Sequence, residues 1–142
     1  MKLPLSSAIK DFVRDELGCT CPDEVFATID VQSVRGQFDG VPGDWRIAIG
    51  NRLLLVLIET AHWRNVSGSL EQLVNRGRQQ RDACGFNRVR FVVATAECES
   101  AEPLLRKRFA ALSCVDDRTH LHIVSPQQLP MLSSTRRGGA GS

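Results

Sequence analysis

Trp45-Arg46-Ile47-Ala48-Ile49-Gly50-Asn51-Arg52-Leu53-Leu54-Leu55-Val56-Leu57-Ile58-Glu59-Thr60 is the stretch on which the fold turns. Two apolar arms flank Gly50-Asn51, a pair that accepts the left-handed backbone of a tight hairpin turn. The second arm, Leu53 to Ile58, is apolar at every position. Successive strand side chains point to opposite faces, so this arm needs cover on both sides. It reads as a central strand between two layers of helix. With a two-residue turn, Ile49 faces Arg52 and Asp44 faces Leu57. Glu59 then lies one diagonal step from Asp44 on the same face.

The flanking segments supply the helices. Upstream, Leu5, Ile9, Phe12, Val13 and Leu17 repeat at helical spacing, predicting a helix over about 7–17 that Gly18 ends. Residues 22–30 read either as a helical turn leading into a strand or as a strand alone. Gln32 to Asp44, with Gly36, Gly40, Pro42 and Gly43, reads as a loop. Downstream, Ser69 and Gln72 form a capping-box pattern. Leu70, Leu73, Val74, Gly77 and Cys84 share one stripe of the helix that follows, which Gly85 ends. Val89 to Ala94 reads as a strand. Ser100 is placed to cap a helix over about 101–112, with Leu104, Leu105, Phe109 and Leu112 inward. His120 to Val124 reads as a short strand, and Ser125-Pro126 opens a last helical turn. The expected order is α-β-β-β-α-β-α-β, an α/β three-layer domain with a mixed sheet. The domain is expected over 1–132, with a disordered tail over 133–142.

Bulk properties limit the functional classes. The chain has 142 residues and a net charge of +2, so no single strong electrostatic partner is implied. Residues 1–66 carry 7 basic and 9 acidic side chains, and residues 67–142 carry 11 basic and 7 acidic. No run approaches the roughly 18 apolar residues of a membrane span. The N-terminus lacks the pattern of a secretory signal, and five cysteines show no secreted disulfide framework. A cytoplasmic protein with no membrane partner is expected.

Three groups of residues bear chemistry. Cys19 and Cys21 with His120 and His122 have the ligand types of a tetrahedral zinc site. The two histidines share a strand face, whereas C-X-C is not the common C-X2–4-C spacing. Alone, Cys19 and Cys21 also suit a strained, easily reduced redox pair, and the plainer reading is two small packing or capping cysteines. Cys84, Cys98 and Cys114 read as packing residues. The second group is Asp44 and Glu59, two carboxylates placed to hold a divalent cation. The third is Arg76, Arg78, Arg81, Arg88 and Arg90, the charges that phosphate contacts require. His62-Trp63 follows the central strand, where binding groups collect. Arg106-Lys107-Arg108 reads as a surface run. No phosphate-loop, dinucleotide, zinc-protease or serine-hydrolase motif is present.

The α-β-β-β-α-β order over about residues 1–95 is similar to the core of the restriction-endonuclease-like nucleases. That family carries PD and then (D/E)XK on the central strands of its meander. Here the corresponding residues are Pro42-Gly43-Asp44 and Glu59-Thr60-Ala61. The resemblance implies that Asp44 and Glu59 hold the metal. Gly43 interrupts the PD pair, and Ala61 stands where the family has its lysine, which argues against hydrolysis. Three readings follow. The default is a small non-enzymatic protein acting through protein contacts. The others are a metal- or thiol-dependent protein built on Cys19 and Cys21, and a nuclease-like nucleic-acid binder without the catalytic lysine.

Overall fold

The computed structural model describes residues 5–18, 26–34, 37–38, 41–50, 52–60, 63–113 and 115–129. The central hairpin forms as two strands, β4 (Trp45–Ile49) and β5 (Leu53–Glu59), after three others: β1 (Ile29–Ser33), β2 (Gln37–Phe38) and β3 (Val41–Pro42). Downstream come α2 (Trp63–Gly68), α3 (Leu70–Cys84), β6 (Arg88–Ala94), α4 (Cys98–Ala111) and β7 (Thr119–Val124). The N-terminal helix, α1 (Leu5–Asp11), continues into a π-helical turn, Phe12–Glu16. The five-stranded sheet has the order β1-β4-β5-β6-β7. The β1–β4 and β4–β5 pairs are antiparallel, and β5–β6 and β6–β7 are parallel.

The alternation of β5 sorts its side chains between two cores. Leu53, Leu55 and Leu57 join Ile9, Phe12, Val13, Ile47 and Ile49 beneath α1. Leu54, Val56 and Ile58 join Trp63, Val66, Leu73, Val74, Phe91 and Leu105 beneath α2, α3 and α4. All six β5 side chains from Leu53 to Ile58 are buried. Burying each one stabilises the domain by about 1.5–3 kcal/mol, which makes this strand the energetic centre of the sheet.

The hairpin loop is one residue longer than the Gly50-Asn51 reading. Ile49 pairs with Leu53 and Trp45 with Leu57, leaving residues 50–52 in the loop. Gly50 has φ of +57°, and Arg52 N–H closes the loop on the Ile49 carbonyl at 3.0 Å. The Arg52 carbonyl also accepts from Asn87 and Arg88 N–H at 2.8 and 3.1 Å, tying this loop to the start of β6. An extra residue in the loop shifts every cross-strand pair by one.

Several other local expectations change. The loop expected over 32–44 contains the β2–β3 hairpin, with Gln37 opposite Pro42. Trp63 opens a short helix of its own, α2, rather than lying in a loop. Ser69 separates α2 from α3 and makes no side-chain cap bond, so the expected capping box is absent there. A capping box forms instead at Ser125 and Gln128, around the last helical turn. Helix α4 begins at Cys98, ahead of Ser100, and Leu104 is 49% exposed because Ala101 and Leu105 take the inward row. Cys84 is exposed rather than packed, and Arg46 Nη2 lies 3.8 Å from its sulfur. The tail expected over 133–142 lies outside the described residues. Among the described residues, no helix is long and apolar enough to cross a membrane.

Candidate functional site

The five arginines singled out from the sequence fall on different surfaces. Arg81 sits on α3 and is 1% exposed. Its Nη1 and Nη2 donate to the two oxygens of Asp116 at 3.0 and 2.9 Å, and its Nε donates to Asp82 at 2.9 Å. Arg78 approaches the same Asp116 carboxylate at 3.4 Å, and Arg76 is exposed on α3. Asp116 also accepts from the Thr119 hydroxyl at 2.7 Å and from Arg118 N–H at 3.0 Å. Together these donors, Arg81 first among them, hold the Asp116 carboxyl well below the usual carboxylate range. Arg81 is thereby committed to the interior, where its planar fork matches a carboxylate.

Arg88 and Arg90 lie on the other face of the sheet. On β6 they share the row of Val92 and Ala94, which faces α1. Beside them on β7, His120 and His122 share the row of Val124. Arg90 pairs with His120 in register. Arg88 Nη1 lies 2.8 Å from Nε2 of His120 and 3.2 Å from the Asp117 carbonyl. Arg90 Nη1 lies 2.9 Å from Nε2 of His122. A guanidinium only donates, so each imidazole accepts at Nε2, is neutral, and carries its proton on Nδ1. The apolar core beneath α1 ends where these four side chains begin.

The electrostatics of this corner agree with that assignment. Burial, followed by the charges of Arg90 and Arg106, pushes His122 down to about 4. Burial and the charges of Arg90 and Arg88 also lower His120. Burial and then Arg88 lower Arg90, which stays charged at any ordinary pH. Among the described residues, neither Arg88 nor Arg90 pairs with a carboxylate, and the buried Nε of Arg90 has no hydrogen-bond partner. Unpaired buried donors are uncommon.

These shifts make stability pH-dependent. The unfolded chain takes up a proton at His122 near 6.5, whereas the folded chain resists it down to about 4. Stability is therefore full above about pH 7 and falls as the pH drops through 6.5 towards 4. After discounting for partial exposure, the expected loss is about 2 kcal/mol by pH 4.5. Urea unfolding at pH 7.5 and 4.5 checks this, and His122→Asn should flatten the difference.

The acid pair takes a different arrangement from the one expected. Asp44 lies just before β4, and its backbone N–H donates to the Leu57 carbonyl at 2.8 Å. Its Oδ2 instead accepts the backbone N–H of Glu59 at 2.7 Å, so it caps the end of β5. Asp44 and Glu59 are therefore neighbours at the end of the β4–β5 hairpin. Glu59 pairs with Ala94, six residues along β6 from Arg88. At about 3.3 Å per residue, Arg88 is roughly 20 Å and Arg90 roughly 13 Å along the strand from the position beside Glu59.

Cys19 and Cys21 lie outside the described residues, as do Cys114 and His62. His120 and His122 have Nε2 engaged with arginine, and no group of three or more potential ligands occurs among the described residues. Trp63 is 1% exposed, and its Nε1 donates to Glu97 at 3.0 Å, so it belongs to the core rather than to a surface. In the basic run on α4, Arg106 pairs with Glu102 and donates to the Leu121 carbonyl at 3.1 Å, securing one point on the outer edge of β7. The alternating residues Arg88-X-Arg90 and His120-X-His122 contain the signal for the corner. Its meaning depends on β6 and β7 being neighbours. No protein-family model, no curated protein and no solved structure matches this chain.

Proposed function

We propose that this domain binds the phosphodiester backbone of a nucleic acid at the Arg88–Arg90–His120–His122 corner and does not cut it. One observation carries the reading: among the described residues, two guanidiniums on a central strand have only neutral imidazoles and a carbonyl as partners. Charge of this kind, left uncompensated by carboxylates, suits an anionic polymer. Each arginine keeps donors beyond the one given to histidine, and the Nδ1–H groups of both imidazoles add two more. The resemblance of the element order to the restriction-endonuclease-like nucleases, read from the sequence, is compatible with this reading and does not carry it. Ala61 in place of a lysine after Glu59 is the reason for a binding rather than a hydrolytic role.

Anisotropy of short labelled single-stranded DNA, RNA and duplex DNA tests the reading. Two phosphate contacts give a slope of log K against log salt of about −1.4 on single strands or −1.8 on duplex. Arg88→Ala with Arg90→Ala should remove that slope and weaken low-salt binding by at least about tenfold. Absence of binding to all three probes at low salt overturns the proposal, and points back to an acidic protein surface as the partner of this corner.

A further inference from the structure

Resting on that reading, we infer that anion binding at this corner is coupled to proton uptake by His120 and His122. The argument is one of shared donors. In the free protein one Nη1 N–H of Arg88 and one of Arg90 are given to the two imidazoles, at 2.8 and 2.9 Å, and Arg88 Nη1 also donates to the Asp117 carbonyl at 3.2 Å. A phosphodiester oxygen is a charged acceptor and a stronger partner for a guanidinium than a neutral imidazole. When phosphate takes those N–H groups, Nε2 of each histidine is released with a free lone pair.

The released imidazole sits beside a new negative charge and a guanidinium that the anion has neutralised. Both changes favour the imidazolium. A proton from solvent then binds Nε2, and the ring donates from both nitrogens to the anion or to water. Protonation without the anion is opposed, because it would set Nε2–H against the arginine N–H at the same contact. Phosphate and proton therefore enter together, and by linkage each tightens the other.

The charged groups around the imidazoles come from three elements. Arg88 and Arg90 are on β6, Arg106 reaches β7 from α4, and Asp116 and Asp117 precede β7. Asp116 is held by Arg81 and does not titrate in the relevant range. The two arginines nearest the histidines are the groups the phosphate engages.

The test uses the full chain and an oligothymidylate probe, because neither thymine nor a phosphodiester titrates between pH 5 and 8. Affinity should rise by at least about tenfold from pH 8 to pH 5. The limiting slope is about tenfold per pH unit for each histidine that takes up a proton. Calorimetry in two buffers of different ionisation enthalpy should count proton uptake, and the histidine Cε1–H signals should move to the protonated position on binding. His120→Asn with His122→Asn keeps side-chain acceptors, removes the titration, and should flatten the pH profile between pH 8 and pH 5. Binding that depends on Arg88 and Arg90 yet stays flat with pH, without proton uptake, overturns the coupling and leaves the nucleic-acid reading standing. Absence of arginine-dependent binding at every pH overturns both.

Discussion

Asp116→Ala should destabilise the domain by about 3–5 kcal/mol, the range for breaking a buried ion pair from one side. Arg81 is the reason. Its guanidinium is 1% exposed and places both terminal nitrogens on the Asp116 carboxylate. Without that carboxylate a buried charge keeps only the Asp82 oxygen on Nε and the Thr119 hydroxyl at 3.2 Å. The loss extends to the chain around it, because Asp116 also receives the Thr119 hydroxyl and Arg118 N–H and so shapes the approach to β7. Asp82 offers an internal comparison. It touches the same guanidinium but is 56% exposed. Asp82→Ala should cost under about 1 kcal/mol. Urea unfolding of both variants at pH 7.5 distinguishes the cases, and similar losses for the two would show that Asp116 does not anchor Arg81.

Gly77→Ala should lower stability by about 1–3 kcal/mol, towards the upper end. In an exposed helix the same change would raise it by about 1 kcal/mol. Gly77 is buried on the inner face of α3, against β6. A Cβ there would come within 2.6 Å of Cε1 of Phe91 and closer still to Cζ. Phe91 is fully buried on β6 and lies in the middle of the helical-face core, so its ring has no open space to move into. The helix would have to rise off the sheet, loosening the contacts of Leu73 and Val74 beside it. Gly68, at the end of α2, has nothing within 4 Å of the corresponding position. Gly68→Ala is the control and should be neutral or mildly stabilising. A thermal unfolding midpoint for Gly77→Ala at or above wild type would contradict the close packing of α3 on β6.

The first of these sites bears on the candidate corner. The pair Asp116-Asp117 links the two faces of the sheet. Asp116 grips Arg81 on the helical side, while the Asp117 carbonyl accepts from Arg88 on the other. Disturbing Asp116 therefore reaches the corner through the chain that enters β7, although no side chain of the corner touches its carboxylate.

Much of the architecture was legible in the sequence because it follows from local patterning. An apolar run the length of a strand, with turn residues before it, required a central strand covered on both sides. Helical spacing at Ile9, Phe12, Val13 and Leu17, and again at Leu70, Leu73, Val74 and Gly77, assigned the covering helices. The mixed five-stranded sheet followed from the order of these pieces. What the tertiary structure alone decided depends on contacts between residues far apart in the chain. The β4–β5 register shifts by one residue, and Asp44 Oδ2 accepts Glu59 N–H, a contact across the hairpin that local patterning does not contain. Arg81 and Arg88, similar as basic residues in a list, were separated by burial into a core ion pair and a surface donor. His120 and His122, read first as metal ligands, were brought beside Arg88 and Arg90 by the parallel pairing of β6 and β7, a neighbour relation that spacing along one strand does not contain.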